Sequence, residues 1–139
     1  MSPCLSAIIL MGGKGERFGS TFPKQFHNLA GKPVFIHTIE RFVFSRFFKE
    51  LVLVCPMEWM TFVEAKIVDI KSEIPIKIVK GGATRRESSY KGLQSVQVGT
   101  THVVIHDAVR PFVSEKIIKD NVENVIKHGA VDTCISSTD

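Results

Sequence analysis

The sequence predicts an α/β domain: a doubly wound, mostly parallel sheet with helices on both faces. Three observations predict it. Short apolar runs alternate with longer amphipathic segments along the whole chain. The short runs are apolar at nearly every position, the pattern of strands buried on both faces rather than one. Several runs stop at glycine-rich or charged segments, where such sheets bind ligands beyond their carboxyl ends. The 139 residues fit a single domain, 1–139, and a chain of that size buries roughly two-thirds of its unfolded surface.

Each element has its own signal. Ser6–Met11 is an apolar run halted by Gly12 and Gly13, hence a buried strand. Pro33–Phe48 carries Ile36, Ile39, Val43 and Phe47 at helical spacing, with Pro33 suited to a first turn where its missing N–H costs nothing. Leu51–Cys55, closed by Pro56, is a second buried strand. Glu58–Ile70 is a second helix, with Phe62, Val63, Lys66, Ile67 and Ile70 at i, i+4 relations. Ile76–Lys80 follows Pro75 as a third strand. Thr84–Val98 is a third helix, opened by a Thr84/Glu87 capping box in which two side chains satisfy each other's backbone N–H groups. His102–His106 is a fourth strand. Ser114 caps a fourth helix that stops near Gly129, and Val131–Ser137 is read as a fifth strand.

Composition narrows the function classes. Apolar residues make up 44% and charged residues 23% of the chain, ordinary values for a globular domain. A net charge of +4 suits an anionic small molecule. No basic tail and no aromatic-plus-basic stripe points to nucleic acid, so none is expected as a partner. No apolar stretch reaches the roughly 20 residues of a membrane span. The N-terminus lacks the pattern of a signal peptide. Cys4, Cys55 and Cys134 are odd in number and widely spaced, which supports neither a zinc site nor a disulfide framework. Reduced, buried thiols in a cytoplasmic protein are the expectation.

Three segments carry chemistry. The first, Gly12-Gly13-Lys14-Gly15-Glu16-Arg17-Phe18-Gly19, continues to Pro23-Lys24-Gln25. Its glycines let backbone N–H groups approach phosphate oxygens, and Arg17 and Lys24 add positive charge. It lacks the spacing of a P-loop. It also has Phe18 where a dinucleotide fingerprint needs its last glycine, which argues against a dinucleotide-dependent oxidoreductase. The second segment, Gly81-Gly82-Ala83-Thr84-Arg85-Arg86-Glu87-Ser88, leads into a helix N-terminus suited to an anion or a base carbonyl. The third, His106-Asp107-Ala108-Val109-Arg110-Pro111, puts a carboxylate at a strand end, where beside a triphosphate it can help hold Mg²⁺. His106 is read as structural.

Together the three segments resemble the cytidylyltransferases of isoprenoid synthesis, the 2-C-methyl-D-erythritol 4-phosphate cytidylyltransferase family. The match is carried by Gly13, Gly15 and Arg17 with Pro23-Lys24-Gln25, by Gly81, Gly82, Arg85 and Ser88 ahead of Gly92-Leu93, and by His106 to Pro111. The resemblance implies a Rossmann-like nucleotidyltransferase fold and transfer of CMP from CTP to methylerythritol phosphate, with pyrophosphate released and Mg²⁺ as cofactor. It implies that Arg17 and Lys24 stabilise charge on the α-phosphate. Backbone of Met11, Gly12, Gly13 and Gly15 wraps the triphosphate. Gly82, Ala83 and Ser88 read the cytosine, and Ala108 borders the ribose. Asp107 lies near the metal and the acceptor, and Arg110 faces the acceptor.

Met11, Gly12 and Ser89 depart from the family's usual residues, Ala, Ala and Val. Family members also continue past the position of Asp139 with a dimerisation arm and C-terminal helices, so the chain is expected to stop before them. A homodimer is implied for the full-length family, in the cytoplasm or, in a photosynthetic eukaryote, in a plastid. Two alternatives accompany this reading: a ribitol-5-phosphate cytidylyltransferase, whose motifs are similar, and a fragment that binds CTP without turnover.

Overall fold

The computed structural model describes residues 2–12 and 22–137. Strand β1 (Leu5–Leu10) is followed by a 3-10 turn at Lys24–Phe26 and a short hairpin of β2 (Asn28–Leu29) and β3 (Lys32–Pro33). Helix α1 (Val34–Ser45), strand β4 (Glu50–Cys55), helix α2 (Met60–Ile67), strand β5 (Ile76–Lys80), helix α3 (Arg85–Ser95), strand β6 (His102–Asp107) and helix α4 (Glu115–His128) complete it. The main sheet has the order β5-β4-β1-β6, all parallel. The chain therefore steps outward from β1 through β4 to β5, then crosses back to the other side of β1 as β6. Right-handed crossovers send the helix of that return step to the opposite face. The doubly wound expectation is met.

Period-two alternation divides the core. Ala7, Ile9, Leu51 and Leu53 face one layer, with Phe35, Ile39 and Phe42 of α1, Val63 of α2 and Ile118 and Val122 of α4. Ile8, Leu10, Val52 and Val54 face the other, which α3 covers. Gly92 is where α3 comes closest: a Cβ there would lie 2.6 Å from Ile8 Cγ2 and 3.1 Å from Val54 Cγ2.

The boundaries differ from expectation in instructive places. Helix α1 ends at Ser45 because Arg46 turns left-handed (φ 63°). The second helix begins as a 3-10 turn at Met57–Trp59 and ends at Ile67. The hairpin turns through Ala30 and Gly31, both at positive φ (50° and 87°), the backbone a two-residue hairpin loop demands. Ser114 caps α4 through Ile117 N–H (3.1 Å), and Gly129 closes it at φ 84°. Cys55 is buried, and burial, aided by the charge of Glu58, pushes its thiol up to about 12. Its burial is as expected, and the thiol stays protonated. Cys134 is instead exposed, which corrects the expectation for that thiol.

The fifth strand does not form. Residues 131–137 carry no ladder and are exposed, with Ile135 at 93%. The segment is tied to α4 by its side chains: Asn121 Nδ2 donates to Thr133 Oγ1 at 2.7 Å. A run with only Val131 and Ile135 as large apolar groups has too little to bury in exchange for ordering a strand.

The end of the sheet opposite the glycine segments holds a buried carboxylate. Glu50 is fully buried; its Oε1 accepts from Ser6 Oγ (2.8 Å) and from Gln97 N–H (2.5 Å), and Lys77 Nζ lies 2.8 Å from Oε2. Burial alone would raise the Glu50 pKa. Lys77, Gln97 and Ser6 together outweigh it and hold the carboxyl below its ordinary value. Lys77 also donates to the Ser95 carbonyl (2.9 Å), so the pair fastens the last turn of α3. A lowered folded-state pKa contributes stability above the unfolded value, lost as pH falls through the folded one. Lys77→Met should therefore cost about 2 kcal/mol near pH 7, below the roughly 3–5 kcal/mol of a fully buried pair because Lys77 is partly exposed. The deficit should shrink as pH falls through the folded-state pKa of Glu50, which Lys77, Gln97 and Ser6 hold below the ordinary carboxylate value, because the charge that Lys77 offsets is lost there. Urea unfolding across an acid pH series measures it.

Candidate functional site

The carboxyl ends of β1, β4, β5 and β6 lie side by side, and the sequence segments that follow them meet there. Met11 N–H donates to Val54 O (2.9 Å), Gly81 N–H to Cys55 O (2.8 Å) and Ala108 N–H to Leu10 O (2.9 Å). These bonds extend the ladder one residue past each strand and fix where each segment starts. The order changes direction between β1 and β6, the switch point at which open sheets bind ligands.

Side chains from the layer of α1 fasten the same floor. Gln25 is buried and its Nε2 donates to the Met11 carbonyl (2.5 Å). Thr38 Oγ1 donates to the Ala108 carbonyl (2.7 Å). Met11 is buried with both backbone groups engaged, and Ala108 is fully buried. Gln25 belongs to the turn that carries Lys24, and the next residue, Phe26, stacks on Trp59 with ring centroids 4.5 Å apart. Phe22, Phe35 and Phe62 surround that pair. Lys24 is thus mounted on a turn held on one side by the floor and on the other by aromatic rings.

The second segment is shaped by its own side chains. Ser88, buried on the first turns of α3, accepts the Gly82 N–H at Oγ (3.1 Å). A Cβ on Gly82 would lie 2.4 Å from Glu87 Cβ, and one on Gly12 would lie 3.8 Å from Ser88 Oγ. Gly12, Gly81 and Gly82 therefore gather around one serine. Thr84 Oγ1 accepts Glu87 N–H (3.1 Å) as expected of the box, but Glu87 Oε2 reaches the Ala83 N–H (2.8 Å) rather than that of Thr84.

The third segment holds the charge. Asp107 is the last residue of β6, paired in register with Leu10. Arg85 Nη2 lies 3.3 Å from its Oδ1 and Arg110 Nε 3.3 Å from its Oδ2. His106 Nε2 lies 3.0 Å from the Arg110 carbonyl, and burial lowers the pKa of its ring, which favours the neutral imidazole. A cleft of about 1240 Å³ takes in Lys24, Arg85, Asp107 and Arg110 and runs on along β6 toward Thr133. Gly82, Ala83 and Ser88 do not line it.

Of the residues named from sequence, Lys24, Asp107 and Arg110 share the cleft. Met11 and Ala108 are buried beneath the strand-end floor, and Gly12, Gly82, Ala83 and Ser88 stand beside the cleft; none of the six lines it. Arg17, Gly13 and Gly15 lie outside the described residues. Gln25 and Arg85 were noted only as matching residues, and Thr38 was not singled out. Gln25 carried a signal in the Pro-Lys-Gln run. Thr38, one polar residue within a helix, carried none.

No group of three or more His, Cys, Asp or Glu side chains that could hold a metal occurs among the described residues. The lone Asp107 carboxylate fits an ion of the Mg²⁺ type, which usually keeps waters and takes one or two carboxylates plus substrate phosphates. Among the described residues no helix is long and apolar enough to cross a membrane.

The sequence profile of the 2-C-methyl-D-erythritol 4-phosphate cytidylyltransferase family matches residues 5–139. A curated relative, a ribitol-5-phosphate cytidylyltransferase from Lactiplantibacillus plantarum, is 41% identical over 96% of the chain and 60% of its own length. Among solved structures, a 4-diphosphocytidyl-2C-methyl-D-erythritol synthase from Anaerococcus prevotii superposes with TM-score 0.77 at 25% identity, over 90% of this chain and 52% of that one. The bifunctional IspDF of Campylobacter jejuni superposes with TM-score 0.74 at 26% identity, over 89% and 31%. The chain thus spans about 60% of the length of the curated relative it matches.

Proposed function

The chain belongs to the 2-C-methyl-D-erythritol 4-phosphate cytidylyltransferase family, and from that premise we propose that the protein transfers CMP from CTP to the phosphate of an acyclic polyol monophosphate. An oxygen of the acceptor phosphate attacks the α-phosphorus of CTP. A new P–O–P link forms, the bond to the β-phosphate breaks, and pyrophosphate leaves with its electron pair. The obstacle is anion approaching anion, so catalysis comes from positioning and from cations aimed at the charge that grows on the α-phosphate.

The observation that carries this reading is the convergence of Lys24, Asp107 and Arg110 in one cleft at the switch point, beside the Gly12/Gly82/Ser88 wall. In this reading Lys24, with Arg17, stabilises the α-phosphate. The loop that starts at Gly12 follows the triphosphate, the Gly82–Ser88 turn takes the pyrimidine, and Arg110 faces the acceptor phosphate. Asp107 would hold Mg²⁺, which supplies neutralisation of phosphate charge when bound.

Two acceptors fit the chemistry. The family profile and both solved structures favour methylerythritol phosphate, and the 41% identical relative favours ribitol 5-phosphate. Pyrophosphate release measured with CTP and each acceptor decides between them. Release with CTP and one of the two, but not with ATP, is the expected result. CTP binding by calorimetry without product from either acceptor would replace this reading with that of a nucleotide-binding module.

A further inference from the structure

Arg85 has a second use in the cleft. Its guanidinium extends from the first residue of α3 to the end of β6, 22 positions along the chain, and faces Asp107 Oδ1 while Arg110 faces Oδ2. Both oxygens of the strand-end carboxylate are therefore met by positive charge. Arg110 stands on the same turn as Asp107. Arg85 instead stands on the segment that carries Gly82 and Ser88, so this ion pair joins the two sides of the cleft.

We propose that Arg85 is a positioning residue that serves as a placeholder cation. It holds Asp107 in the nucleotide-free protein and yields Oδ1 to a divalent cation that enters with the nucleotide. This rests on the nucleotide-site reading above and adds to it an order of events: Asp107 becomes a metal ligand only as the α3 side of the cleft lets go. The pair suits exchange. The Arg85 side chain is 67% exposed and the contact is 3.3 Å, so the ion pair is weak and reversible, as exposed pairs generally are. A divalent cation and a guanidinium cannot share one oxygen without like-charge repulsion.

Mn²⁺ is the probe, its free concentration read by electron paramagnetic resonance in the absence of nucleotide. Arg85→Gln should tighten Mn²⁺ binding by about fivefold, the scale of one short-range charge interaction near a surface. Asp107→Asn added to that variant should abolish the gain. Arg86→Gln, which removes the same charge one residue along, should change affinity by less than about twofold because solvent screens the more distant charge. No gain in Arg85→Gln, an equal gain in Arg86→Gln, or a gain that survives Asp107→Asn would each overturn the proposal. Calorimetry of CTP with the unsubstituted protein separates it from its premise. CTP binding without the Mn²⁺ gain removes only the placeholder, whereas the Mn²⁺ gain without CTP binding removes the nucleotide reading and the coupling built on it.

Discussion

Replacing Lys24 by alanine should lower kcat for cytidylyl transfer by about a hundredfold, with CTP affinity changed by less than about threefold. The split follows from where the residue sits. Lys24 lines the cleft with Asp107 and Arg110, on a turn that Gln25 bonds to the floor and Phe26 ties into the aromatic cluster. Losing the ammonium should leave the turn in place and remove one cation from the reacting phosphate. A cation about 4 Å from that charge is worth roughly 1–4 kcal/mol, depending on the local dielectric. Only the part that grows toward the transition state appears in kcat. The same split is expected of Arg17→Ala. Steady-state kinetics beside calorimetric CTP titration tests both, and equal losses in turnover and affinity would reassign these residues to ground-state binding.

Gly92→Leu should destabilise the protein by more than about 3 kcal/mol, near a 10 °C loss in Tm. Leucine is a strong helix former, so propensity works in favour of the variant by nearly 1 kcal/mol. The loss comes from the core. Even a single Cβ at Gly92 would sit 2.6 Å from a methyl of Ile8, a fully buried residue in the central strand. Neither Ile8 nor Val54 can swing aside, because both are β-branched and packed. Any accommodation must lever α3 off β1 and β4. Ser88 lies one turn earlier on the same helix face, so the displacement reaches the Gly82 wall. Gly92→Ala should show the same direction with about 1–2 kcal/mol. Thermal and urea unfolding give the numbers, and an unchanged Tm for Gly92→Leu would show that α3 is free to slide.

The parallel core was legible because its strands are short apolar runs bounded by glycine or proline, as at Leu51–Cys55 before Pro56 and Ile76–Lys80 after Pro75. Such runs have few alternative folds. Val131–Ser137 has the length and the alternation of a strand, but its two large apolar side chains bury too little to order one. Glu50 was missed because a charged residue at the start of an apolar run reads as a solvent-facing end. Its burial depends on Lys77 and Gln97, 27 and 47 positions away. The charge pattern at the strand ends pointed to Lys24, Asp107 and Arg110, and these three share the cleft; the glycines named with them do not line it or lie outside the described residues. Arg85 could be matched from its motif, but its reach to Asp107 is set by how α3 docks on the sheet. A sequence carries that docking only as the missing side chain at Gly92.

The bonds from Met11 to Val54, from Ala108 to Leu10, from Gln25 to Met11 and from Thr38 to Ala108 separate the cleft into two mechanical classes. Its floor belongs to the cooperative unit of the central sheet, and its backbone opens only when β1 itself comes apart. Its walls, the charged turn from Asp107 to Arg110 and Arg85 at the start of α3, are joined to each other by the Arg85–Asp107 contact. Substitutions that alter ligand preference belong on the walls, and substitutions on the floor will register as loss of protein before they register as loss of specificity.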